Sequence, residues 1–140
     1  MIPEISIIAA AVLILMQMVL MLSVGMHRAS VKVGVGFGED EQLHRKIRRH
    51  GNLAENAGVF LIGMALAEIS GASTFYLSIV AAVFVAARAS HALAFSSTSG
   101  SHSPQGSVVF PAMRMFGAFG TAGSGIGLAV ILISQFMAQT

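Results

Sequence analysis

The chain contains no cysteine. Disulfides, thiolate metal sites and a nucleophilic protein thiol are therefore excluded, and any sulfur chemistry has to arrive with a ligand. Charge is equally scarce: 10% of the 140 residues are Asp, Glu, Lys or Arg, against about 25% in an average soluble domain. No Lys or Arg precedes Arg28, and the first apolar run is longer than a signal-peptide core, so it reads as a retained membrane segment. No histidine stands at metal-ligand spacing from another histidine or a carboxylate, which argues against a metal site. What is present is apolar residue, 55% of the chain with a mean hydropathy of +0.79. The composition is that of an integral membrane protein whose length suits one domain, residues 1–140.

Four helices are expected. Residues 5–26 are almost unbroken apolar sequence, about the ~20 residues that cross a ~30 Å hydrocarbon core. The glycines at 34, 36 and 38 follow no strand and lack P-loop spacing, so the segment reads as a flexible connection. Acidic Glu39, Asp40 and Glu41 open a second helix, about 40–69, as acids do near the positive end of a helix dipole. The short "SGAST" break implies a tight turn, and a third helix, about 74–95, antiparallel to the second. After the polar Ser/Gly-rich loop 96–106, Pro111 suits a first helical turn and opens a fourth helix, about 111–137. Its Gly117, Gly120, Gly123 and Gly127 are spaced for close helix packing.

The cations are unevenly placed. Arg28, Lys32, Arg45, Lys46, Arg48 and Arg49 flank the first connection and Arg114 borders the third, so the positive-inside rule puts both in the cytoplasm and both termini outward. On the second helix Glu41, Arg45, Arg48, Asn52 and Glu55 fall within an arc of roughly 80°. Counting from the outer turns, Glu55 and Arg88 share a depth of roughly 21 Å, which allows a structural ion pair between them. Arg88 and His91, three apart, share a face of the third helix. A charge facing lipid costs at least ~2.5 kcal/mol, so these stripes should face the bundle interior or a subunit interface. One carboxylate cannot neutralise Arg48, Arg88 and Arg114, and the surplus reads as a site for an anion.

The spacing Arg45, Arg48, Asn52, Glu55 resembles the Arg-x-x-Arg-x-x-x-Asn-x-x-Glu pattern of the MAPEG family, the membrane-associated proteins in eicosanoid and glutathione metabolism. "ARASHALAF" is similar to an Arg-x-x-His segment of that family, with Arg88 and His91, and "RMFG" places Arg114 at the start of the last helix. The "GFGEDEQLHRKIRRHGN" stretch resembles the small bacterial members. The resemblance implies an all-α, four-transmembrane-helix bundle assembled as a homotrimer in a bacterial inner membrane, with the site at subunit interfaces and facing the cytoplasm. It implies glutathione, or another low-molecular-weight thiol, as ligand. Asn52 and Glu55 would contact its backbone and ammonium, Arg48 a carboxylate, and His91 would add a contact. Arg114 would stabilise the thiolate, with Arg28, Arg45 and Arg88 as further cationic contacts. The activity implied is transfer to, or peroxidase action on, a lipophilic electrophile. Phe95 stands where a related synthase carries a tyrosine.

Two other functions compete. A non-catalytic member that binds lipid and serves a partner protein has the same fold. A small multidrug transporter is of similar size but usually couples protons through a carboxylate in its first helix, where this chain has only Glu4 at the edge. The basic rim meets anionic lipid rather than nucleic acid. His27, His44 and His102 read as solvated, His50 as lying off the polar stripe, and Glu68 as snorkelling to the outer interface.

Overall fold

The computed structural model describes residues 2–96 and 108–138. The expected solvation of His102 and the character of the loop 96–106 beyond Ser96 lie outside the described residues. Four helices are present: α1 (Glu4–Val31), α2 (Glu41–Ile69), α3 (Thr74–Ala94) and α4 (Val109–Met137), each long and apolar enough to cross a membrane. The first runs five residues past its expected end at 26 (31 − 26) and the last starts two before 111 (111 − 109). Falling hydropathy marks where a helix leaves hydrocarbon, whereas a helix ends where its backbone turns. α1 ends at Lys32, which adopts a left-handed conformation and returns its N–H to Arg28 O.

The helices alternate in direction. Ser6 meets Glu68 and Gln17 meets His50 across α1 and α2. Phe60 stacks on Phe84 across α2 and α3, ring centroids 3.7 Å apart. Arg88 reaches Gly117, and Ser90 reaches Met113, across α3 and α4. Around the perimeter the order is α1, α2, α4, α3, with α2 and α3 also touching across the centre and α1 and α4 at opposite corners. Leu13, Phe60, Met64, Leu77, Phe84 and Leu128 form the core. Outside lie Ile14, Val19, Val59, Ile62, Phe119, Val130 and Ile133, all exposed. An exterior this apolar suits lipid as solvent, and helices satisfy their own backbone groups there. The protein is an integral membrane four-helix bundle.

The connection 32–40 is built rather than slack, contrary to the expectation of flexibility. Gly36 and Gly38 take positive φ, which costs glycine little. Arg28 Nη1 donates to Val33 O and Gly34 O, and the Phe37 and His44 rings stack at 4.2 Å. Asp40 caps α2 by accepting from Leu43 N at 2.8 Å. His27 is not solvated as expected: its Nε2 lies 3.1 Å from Asp40 Oδ2 and its Nδ1 3.1 Å from Lys46 Nζ. An ammonium can only donate, so Nδ1 accepts and Nε2–H faces the carboxylate. The Leu43 N–H first, then the His27 hydrogen bond, hold the Asp40 carboxyl below the usual carboxylate range.

Glu68 corrects another expectation. It does not snorkel but is 3% exposed, accepting from Ile5 N at 2.9 Å, Ser6 N at 2.8 Å and Ser6 Oγ at 2.6 Å. A carboxylate from the end of α2 thus satisfies the open N–H groups at the start of α1. Glu68→Ala should cost about 1–3 kcal/mol, because buried donors lose their acceptor. Denaturation in mixed detergent micelles would measure it, and an unchanged midpoint would show that Glu68 does not fasten α1.

Candidate functional site

The polar layer begins with Arg88. It lies one turn beyond Phe84 towards the α3 C-terminus and is 4% exposed. Its Nη1 donates to Asn52 Oδ1 and to Asn52 O, and its Nη2 to Gly117 O at 2.8 Å. The ion pair with Glu55 that shared depth allows is not formed: among the described residues the salt bridge is that of His27 with Asp40. Carbonyl oxygens of α2 and α4 solvate the guanidinium instead. That close approach needs glycine at 117, where an added Cβ would stand 2.6 Å from His91 Cβ and 3.0 Å from Ala87 O. Gly120 is similarly tight against Ala87 at 2.9 Å, whereas Gly123 has nothing within 4 Å, so the small-residue spacing serves packing in the N-terminal part of α4 first.

Beside Gly117 lies buried His91. Its ring is 5.0 Å from that of Phe95, and the Arg114 guanidinium sits over the Phe95 ring at 5.0 Å, a cation–π geometry. The fold therefore brings Asn52, Arg88, His91 and Arg114 together from three helices, with Arg48 one turn before Asn52 on α2. Glu41, Arg48 and Glu55 are exposed, and Arg45 and Asn52 are half-buried. The α2 stripe thus runs along an outer edge of the bundle and does not point into its centre. Glu55 lines a cavity of about 540 Å³ between α2 and α4, with Asn56, Thr121, Phe84 and Leu128. The hydrogen bonds of Arg28 are to its own connection.

Several residues of the layer escaped sequence reasoning. His50 is hydrogen-bonded to Gln17 at 2.7 Å; the amide N–H donates, so the imidazole accepts. Gln17 is the lone amide in the first span, a signal that was there to be read. Arg49 faces inward with a buried Nε that has no partner, as do Gln17 Oε1 and Arg88 Nε. Gly117 O carries no sequence signature as an acceptor, because every residue has a carbonyl.

Four membrane-spanning helices around a cation-rich polar layer, with a lipid-open apolar exterior, define the class: an integral membrane four-helix bundle. The MAPEG family model matches residues 6–134. The chain belongs to that family, which includes glutathione transferases and peroxidases as well as non-catalytic members. No curated protein sequence and no solved structure matches it. Among the described residues no group of His, Asp and Glu is arranged to hold a metal ion.

Proposed function

We propose that this protein is a membrane-bound, glutathione-dependent transferase or peroxidase for lipophilic electrophiles. The observation that carries the reading is the polar layer in which Arg88 reaches Asn52 and Gly117 O while Arg114 and His91 share the Phe95 ring, with neither Arg48 nor Arg88 meeting a carboxylate among the described residues. Glutathione has two carboxylates, an ammonium and a thiol, and the donor set fits it: guanidinium groups for the acids and an open Glu55 carboxylate for the amine. When bound, it supplies the nucleophilic sulfur that a chain without cysteine lacks.

The residues have these roles. Arg48 pairs with a carboxylate, Asn52 donates its amide, and His91 supports the ligand from α3. Arg114 stabilises negative charge at the sulfur without a general base, since a neighbouring cation lowers a thiol pKa from about 8.5. Arg28 and Arg45 contribute positive potential at the rim. Arg48 and Glu55 lie exposed on a single subunit at membrane depth, where an uncovered charge is costly. That supports a homotrimer with the site between subunits. Cation placement supports outward termini and a cytoplasm-facing site, and the resemblance of the "GFGEDEQLHRKIRRHGN" stretch to small bacterial members supports a bacterial inner membrane. The apolar flank of the α2–α4 cavity supports entry of substrate from lipid.

The test is a titration of detergent-purified protein with glutathione, following ultraviolet thiolate absorbance at neutral pH. A saturable thiolate signal is expected. Binding by calorimetry without that signal assigns the protein to the non-catalytic members, and no binding of glutathione or another small thiol removes the reading.

A further inference from the structure

The side chain of Asn52 is held by a group that cannot accept a hydrogen bond. A guanidinium only donates, so the Asn52 atom facing Arg88 Nη1 is the amide oxygen, whichever way an amide is drawn. The same Nη1 also donates to the Asn52 main-chain carbonyl, and Asn56 Nδ2 donates to that carbonyl at 2.8 Å, so backbone and side chain are fixed together. Arg88 in turn is immobilised by Gly117 O and by burial, with the Phe84 ring 6.0 Å from its guanidinium carbon. Planar geometry then turns Asn52 Nδ2 away from Arg88. Nδ2 has no hydrogen bond among the described residues, and it is not among the sealed, unpartnered atoms of the interior.

We propose that Arg88 is a positioning residue that sets the polarity of Asn52, making its amide a dedicated hydrogen-bond donor that selects a carboxylate on the ligand over a neutral or donor group. The proposal rests on the glutathione reading and deepens it: Arg88 acts through Asn52 and does not itself touch ligand. Discrimination of this kind is strong, because a charged acceptor gains more from a fixed donor than a neutral one does.

Arg88→Met removes the positioning group but strands Asn52 Oδ1 and takes a donor from the Asn52 and Gly117 carbonyls inside the bundle, which threatens folding, so the informative variant is Asn52→Asp. An aspartate keeps the acceptor that Arg88 grips and replaces the donor with a negatively charged acceptor, which opposes a ligand carboxylate where the amide attracts it. Calorimetry in detergent would compare glutathione with its diethyl ester, in which both carboxylates are masked, and thermal melting would monitor the fold. The expected result is an unchanged or raised melting midpoint, a glutathione Kd weakened by about 10- to 150-fold, and an ester Kd altered less than threefold. A glutathione loss below tenfold, or an equal loss for the ester, overturns the proposal while leaving glutathione binding intact. Failure of the unmutated protein to bind glutathione overturns the functional reading and this proposal with it.

Discussion

Arg114→Ala is expected to abolish the thiolate signal at neutral pH and to lower thiol-dependent turnover by about 100- to 1,000-fold, the range for removing a preorganised charge stabiliser. The guanidinium stands over Phe95, whose ring also meets that of His91, so it is held in place before ligand arrives. Cation–π contact contributes about 0.5–2 kcal/mol to that placement. Because the chain offers no cysteine and the proposed chemistry no general base, the loss of this charge has no substitute close to the sulfur. Arg114→Lys should retain part of the activity: the charge remains, but a compact ammonium lacks the planar group that stacks on Phe95. An undiminished thiolate signal in Arg114→Ala would move the stabilising role to another cation, with Arg48 the next to test.

Gly117→Ala is expected to destabilise the bundle by about 1–3 kcal/mol, as overpacking does, and to weaken ligand binding at the same time. The new Cβ would meet His91 Cβ at 2.6 Å and the Ala87 carbonyl and His91 Cα at 3.0 Å. Two of these are backbone atoms of α3, which cannot rotate aside. α3 and α4 must separate, stretching the 2.8 Å bond from Arg88 to Gly117 O and shifting His91. Gly123→Ala is the control: nothing lies within 4 Å, so stability should hold or rise by up to ~1 kcal/mol from helix propensity. Both variants are read by denaturation in mixed micelles. Equal stability of the two would mean that α3 and α4 are not in close contact at Gly117.

Much of the fold was legible because its cause is local. Apolar runs of bilayer length, Asp40 before a helical segment and glycine at the α2–α3 turn each declare themselves within a few residues. The site was legible as a set of members but not as a set of bonds. Arg88 had Glu55 at its depth by simple counting, yet its partners are the Asn52 side chain and two backbone carbonyls. Acceptors of that kind are present in every helix and become available only where a glycine such as Gly117 lets another helix come near. His27 read as solvated because its partners, Asp40 and Lys46, meet it only after the connection folds back.

The sequence by itself determined that this is a four-helix membrane protein of the MAPEG family, that its cations gather at one end, and that it has no thiol of its own. Periodicity also determined which residues share a face of α2. It did not determine where that face points, since a helical wheel fixes relative angles and not the direction of the neighbouring helices. Tertiary structure alone decided that Arg48 and Glu55 lie outward while Arg49 turns in. It also decided that Glu68 caps a helix 62 residues earlier in the chain, and that Asn52 presents its nitrogen. Each outcome depends on groups brought together across helices, where burial forces every donor and acceptor to find a partner that proximity, and not sequence separation, supplies.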